Sequence, residues 1–158
     1  MKQIALAVAV ALLPLGAFGQ DYEAGLDAAR RGDYETAMQE WRPLAEQGDA
    51  FAQFRVGTIY YNGYGVPQDY TQAERWYRLA ANQGISIAQM YLGAMYENGW
   101  GVPQDYAEAL RMYTLAAEQG NADAQVGLGN LHYQGNGVPR NAIVALHWYQ
   151  RDCAEFCA

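Results

Sequence analysis

The chain has 158 residues, of which 51% are hydrophobic, and its 10 Lys and Arg stand against 17 Asp and Glu, a formal net charge of −7. Displacing counterions from phosphates needs clustered cations, so this balance excludes nucleic acid as a partner and disfavours anionic lipid. Lys2 is the only lysine and Ser86 the only serine, which removes lysine Schiff-base chemistry, Ser-Lys acylation and a phosphate loop ending in Lys-Ser/Thr.

The first element is MKQIALAVAVALLPLGAFGQ. One cation precedes an apolar run from Ile4 to Leu15, and Ala17-Phe18-Gly19 then offers a small-x-small motif. That order is a secretory leader over 1–19, with a mature start at Gln20. The apolar run is short for a bilayer span, so no integral membrane segment is expected. With no cysteine near the motif, a lipid-anchored N-terminus has no acceptor, and the expected address is the periplasm or the cell exterior. Residues 20–158 fit one domain.

Beyond the leader the chain repeats itself. GYGVPQDY at Gly63–Tyr70 returns as GWGVPQDY at Gly99–Tyr106 and again as GNGVPRNA from Gly135. A shift of 36 aligns Ala52, Ala88 and Ala124, then Gly57, Gly93 and Gly129, and later Tyr77, Tyr113 and Tyr149. Four units follow, at 21–51, 52–87, 88–123 and 124–158. A fixed period of this length is a statement about architecture before it is one about chemistry.

Each unit reads as two helices. FAQFRVGTIYYNG and YTQAERWYRLAANQG both carry apolar residues at helical spacing. The loop between them is a stop, a bend and a start: Gly63 suits the left-handed position that ends a helix, Val66-Pro67 forces an extended step, and Asp69 caps the next helix. Gln72 and Glu108, three residues past Asp69 and Asp105, predict capping boxes. Gly57 and Ala73, with their equivalents, are small where the two helices must approach closely.

The pattern A-Q-x-x-x-G-x-x-Y-x-x-G-x-G-V-P-x-D-x-x-x-A-x-x-W-Y-x-x-A-A-x-x-G, read in Ala52–Gly84 and followed closely by Ala88–Gly120 and Ala124–Tyr149, resembles the Sel-one-like repeat (SLR) family, a relative of tetratricopeptide repeats. The first unit departs from it, because RRGDY replaces the longer glycine loop. The last departs too, with Asn141 for Asp and Arg151-Asp152-Cys153 for Leu-Ala-Ala, polar changes that suit an exposed end. The resemblance implies an all-α solenoid, a right-handed superhelix of about four antiparallel helix pairs. It also implies an adaptor that holds a protein or peptide on the concave face lined by the first helices.

Where repeats keep a residue, packing is the expected reason; where first helices differ, recognition is. The variable sets are Arg55/Tyr91/Gly127, Thr58/Ala94/Asn130 and Tyr61/Glu97/Tyr133, joined by an amide ladder of Asn62, Asn98 and Gln134. Those amides either clasp a partner's backbone or cap their own helices. Tyr64 and Trp100, the variable residues of GxGVP, are either lids over the next repeat or exposed contacts of the kind favoured in interfaces. The repeated aromatics Tyr60, Trp76, Tyr77, Tyr96, Tyr113, Trp148 and Tyr149 are expected in the core.

No catalytic constellation is visible. His132 and His147 occupy repeat positions held elsewhere by Tyr or Arg, and His147 with Cys153 and Cys157 fits no closed zinc pattern. No metal or cofactor is expected, and the chain is expected to be monomeric. An exported protein with two cysteines usually pairs them; Cys153 and Cys157 form a local bridge, an intermolecular one, or remain free. The expected function is therefore an exported, non-catalytic interaction scaffold. Its alternatives are a structural envelope component touching peptidoglycan and a hydrolase of the β-lactam-handling type. The latter is implied only by secreted relatives of the family, which carry a helix-bridging cysteine pair in each repeat that this chain lacks.

Overall fold

The computed structural model describes the backbone of residues 17–156 and the side chains of residues 22–150. The leader expected at 1–19 and the pairing of Cys153 with Cys157 fall wholly or partly outside them. Among the described residues there are eight helices and no strand: α1 (Ala17–Arg30), α2 (Tyr34–Glu46), α3 (Ala50–Asn62), α4 (Tyr70–Asn82), α5 (Ser86–Asn98), α6 (Tyr106–Glu118), α7 (Ala122–Gln134) and α8 (Ala142–Phe156). Each odd helix packs on the even helix that follows it, and each even helix on the next odd one. The odd helices also meet directly, α1 and α3 through Tyr22 and Arg55, α3 and α5 through Tyr61 and Tyr91, and α5 with α7, so they form one layer of the stack. The chain is an all-α solenoid. Its helical phase begins at Ala50, two residues ahead of the unit boundary at 52 taken from self-alignment.

Local backbone chemistry sets the helix ends. Gly63, Gly99 and Gly135 are left-handed, with φ of 71°, 71° and 81°, and each returns its N–H to a carbonyl of the helix it ends. Asp69 accepts from the Gln72 N–H at 3.0 Å, and Asp105 from those of Ala107 and Glu108 at 2.9 and 3.0 Å. Asn141 keeps the same role in the last repeat, accepting from Ile143 and Val144.

The reciprocal half of the expected capping boxes does not form. The cap residues' own N–H groups already donate to carbonyls of the preceding helix, Asp69 to Tyr60 at 3.0 Å and Asp105 to Tyr96 at 2.9 Å. Glu108 is thereby free to hold Arg111, at 2.6 Å.

The core combines aliphatic side chains such as Ile59, Met95 and Leu131 with small and aromatic ones that recur once per unit. Ala37, Ala73 and Ala109 are completely buried, and Gly25, Gly57, Gly93 and Gly129 face the aromatic ring of the following helix. A Cβ at Gly57 would lie 2.7 Å from the Tyr77 ring, and one at Gly93 2.6 Å from Tyr113. These glycines thus seat a ring, where close backbone approach was expected. Tyr77 and Tyr113 are buried as predicted, whereas Tyr60, Trp76, Tyr96, Trp148 and Tyr149 are only half-buried.

A glutamine relay couples successive units. Gln53 and Gln89, both buried, donate to the Ala45 and Ala81 carbonyls, and accept from Gln83 and Gln119 at 2.8 Å. Burying an amide without partners would cost free energy, so this relay also fixes the register of one hairpin on the next.

Candidate functional site on the odd-helix face

The second glycine of each GxG loop, and in the first two loops the aromatic before it, lock the loop onto the preceding repeat. Gly65, Gly101 and Gly137 all have positive φ and lie against the backbone or Cβ of Tyr34, Tyr70 and Tyr106, the first residues of α2, α4 and α6. A Cβ at Gly101 would sit 2.5 Å from the Tyr70 carbonyl carbon. The intervening aromatic stacks on the same tyrosine: Tyr64 on Tyr34 with centroids 4.4 Å apart, and Trp100 on Tyr70 at 5.7 Å. The loop aromatics therefore cover the preceding repeat and not the next. Tyr64 and Trp100 still keep 40% and 36% of their surface in solvent, so one face staples and the other is presented.

Most of the variable positions answer one structural question, how each unit disposes of the aromatic ring at 41, 77, 113 or 149. Its polar atom needs an acceptor. Tyr77 donates to Thr58 Oγ1 at 3.3 Å, and Tyr149 to Asn130 Oδ1 at 2.9 Å. The middle unit has Ala94 at that position, and Glu97 reaches in to accept from Tyr113 at 2.7 Å. In the first unit, Trp41 donates to the Tyr22 carbonyl at 3.1 Å. Burial pushes the Tyr77 and Tyr113 hydroxyls far above the ordinary tyrosine range, and Glu97 adds to the effect on Tyr113. Thr58, Glu97 and Asn130 are thus engaged internally.

The next unit then covers each of the first three rings from the position of Arg55, Tyr91 and Gly127. The Arg55 guanidinium lies 5.8 Å from the Trp41 ring centroid, Tyr91 stacks on Tyr77 at 5.1 Å, and backbone at Gly127 closes on Tyr113. Asn62 and Asn98 donate to the Thr58 and Ala94 carbonyls of their own helices, at 2.9 and 2.8 Å. That is the self-capping alternative for the ladder. Gln134 does not follow it and instead accepts from Asn136. Tyr133 is 52% exposed and has the Arg140 guanidinium 5.5 Å from its centroid.

Between the second and third units, Tyr61 completes an aromatic cluster. Its ring is 5.2 Å from Tyr91, 5.3 Å from Tyr70 and 6.0 Å from Trp100, and burial raises its hydroxyl pKa. Between the first and second units the corresponding space is open. The lining of this pocket, about 420 Å³, includes Ala29, Arg30, Tyr34, Trp41, Arg55 and Tyr64. Sequence comparison at a shift of 36 misses Ala29 and Arg30, because the short RRGDY loop puts α1 in register at a shift of 32, Gly25 with Gly57. In that register Ala29 stands where Tyr61 does. The signal was available in the loop lengths, but the hollow itself required the stack.

Among the described residues no group of three or more His, Cys, Asp or Glu is arranged to hold a metal, and no helix is long and apolar enough to cross a membrane. His147 packs its ring edge-on to Trp148 at 6.0 Å. What the fold and this face define is a helical-repeat scaffold with a rigid, partly exposed aromatic surface.

The Sel1 repeat family matches residues 50–85, 86–121 and 122–151, and the chain belongs to that family. Its members generally act as protein–protein interaction scaffolds and are typically non-catalytic. Similar solved structures include c5321, a protective antigen of uropathogenic Escherichia coli strains with an SLR fold. It is 32% identical, with a TM-score of 0.80, over 89% of this chain and 31% of that one. A Sel1 repeat protein from Oxalobacter formigenes is 35% identical with a TM-score of 0.78, over 84% of this chain and 55% of that one. This chain therefore spans only part of either relative. Helicobacter pylori cysteine rich protein B shares the fold, at 22% identity and a TM-score of 0.58, over 76% of this chain and 86% of that one. Among curated proteins none matches.

Proposed function

We propose that this protein is an exported, monomeric, non-catalytic scaffold that holds a protein or peptide segment against the odd-helix face, in the periplasm or outside the cell. The observation that carries the reading is the state of the aromatics there. Tyr64, Trp100 and Tyr133 are exposed, and the first two are immobilised on one side by stacking. Aromatic surface already held rigid loses little conformational entropy on binding, and such residues dominate interface energetics. The leader at 1–19 supports the address.

Cross-linking capture from the native envelope fraction tests the proposal, comparing wild type with a Tyr64→Ala/Trp100→Ala/Tyr133→Ala variant shown to remain helical. A discrete partner taken by wild type and lost by the variant supports both the role and the face. An identical catch moves the contact off this face, and an empty catch from folded wild type refutes the scaffold reading.

A further inference from the structure

The pocket between the first two units carries information about its occupant, because the molecule fills the equivalent space itself one unit later. There, the hollow roofed by the stacked Trp100 and Tyr70 is occupied by the Tyr61 ring, edge-on to both. Here, the roof is the stacked pair Tyr64 and Tyr34, and the floor is Trp41, but Ala29 supplies no ring. The second change at the same junction is Arg55 in place of Tyr91. Its guanidinium lies over Trp41 and Phe54, and its Nε donates to the Tyr22 hydroxyl at 3.4 Å. Among the described residues no carboxylate pairs with it.

Charge singles the site out further. In a chain of formal charge −7, the described residues that line this pocket include two arginines and no carboxylate. Arg30, at the rim, is held by Asp27 at 2.9 Å, whereas Arg55 has no ion pair among the described residues. A guanidinium over an aromatic face and open on its outer edge is suited to a carboxylate in the plane of its free N–H groups. A volume of about 420 Å³ lies within the roughly 300–1,000 Å³ usual for small-ligand sites.

We propose that this pocket receives the aromatic side chain of an acidic, extended peptide segment of the partner, its ring taking the place that Tyr61 fills at the next junction and a flanking carboxylate pairing with Arg55. The proposal rests on the scaffold reading and deepens it. The ring supplies apolar burial and offset or edge-on contacts with Tyr34, Tyr64 and Trp41, and the carboxylate supplies direction. Ala29 and Arg55 are then the specificity-determining residues.

The test uses an end-blocked Gly-Ser-Asp-Tyr-Asp-Ser-Gly peptide, with one control in which Tyr is Ala and another in which both Asp are Asn, titrated calorimetrically into the purified protein. Wild type should bind the parent peptide at least about tenfold more tightly than either control. Ala29→Tyr, which fills the pocket from within as Tyr61 does, should weaken parent binding at least about tenfold. Arg55→Gln should abolish the preference for Asp over Asn and keep that for Tyr over Ala. Circular dichroism checks that both variants fold.

Failure of wild type to prefer the parent peptide, or unaltered binding by Ala29→Tyr, overturns the assignment. The two readings separate cleanly: a native partner whose capture survives Ala29→Tyr keeps the scaffold and removes this pocket from it.

Discussion

Replacing Gly101 by alanine, compared with the same change at Gly120, isolates the seating of a GxG loop on the preceding repeat. Both glycines have left-handed backbone, φ +72° and +84°, so both variants carry the strain of an L side chain there, about 1–2 kcal/mol. At Gly120 a new Cβ meets nothing within 4 Å. At Gly101 it would lie 2.5, 2.6 and 2.8 Å from backbone atoms of Tyr70 and Thr71, which cannot rotate away. The loop must lift, which adds an overpacking cost of about 1–3 kcal/mol. It also disturbs the Trp100–Tyr70 stack, worth about 0.5–1.5 kcal/mol.

Gly120→Ala should therefore lose about 1–2 kcal/mol and Gly101→Ala about 2.5–6.5 kcal/mol in urea unfolding followed by circular dichroism. Repeat arrays hold together through nearest-neighbour interfaces, so Gly101→Ala should also broaden the transition, with a lower m-value. Equal losses in the two variants would refute the inter-repeat staple.

Three further outcomes are expected. Tyr77 and Tyr113 hydroxyls are raised by burial, so the folded state holds protons that the unfolded chain releases. Stability present below the ordinary tyrosine value of 10.0 is then lost as pH climbs above it; absorbance titration should show tyrosines that ionise only on unfolding, one fewer in Tyr113→Phe. Glu108 is held below its usual range by Arg111, and a depressed carboxylate contributes stability above its unfolded pKa that disappears as pH falls through the folded one. Glu108→Gln should cost less than about 1 kcal/mol at neutral pH, since the pair is largely exposed, and nothing in acid, as paired thermal melts at the two pH values would show. Gln89→Ala removes two hydrogen bonds, its own to the Ala81 carbonyl and that of Gln119 to its amide oxygen, while Gly84 and Leu115 still serve those groups; at about 0.5–1.5 kcal/mol each the loss should be about 1–3 kcal/mol by denaturant titration.

Most of the fold was legible without coordinates, because the signals are local. A glycine at φ 71° after α3, an aspartate accepting from the N–H three residues on, and a period of 36 each involve neighbours along the chain or their exact recurrence. The site was less legible. Variation at Thr58, Glu97 and Asn130 looks like recognition in an alignment, yet each answers a buried or half-buried tyrosine hydroxyl 16 to 19 residues away. Satisfying that hydroxyl tolerates several acceptors, so these three positions carry a packing demand that an alignment does not reveal.

The sequence by itself determined the all-α class, the phase of helices and loops, and the aromatic and glycine positions, since these follow from backbone preferences within a few residues. Only the tertiary structure decided that Tyr64 and Trp100 close on the repeat before them, that Asn62 and Asn98 satisfy their own helices, and that Ala29 leaves a hollow beside Arg55. Each of those depends on how one hairpin is rotated against the next, a quantity set by rings, glycines and buried amides meeting across the stack.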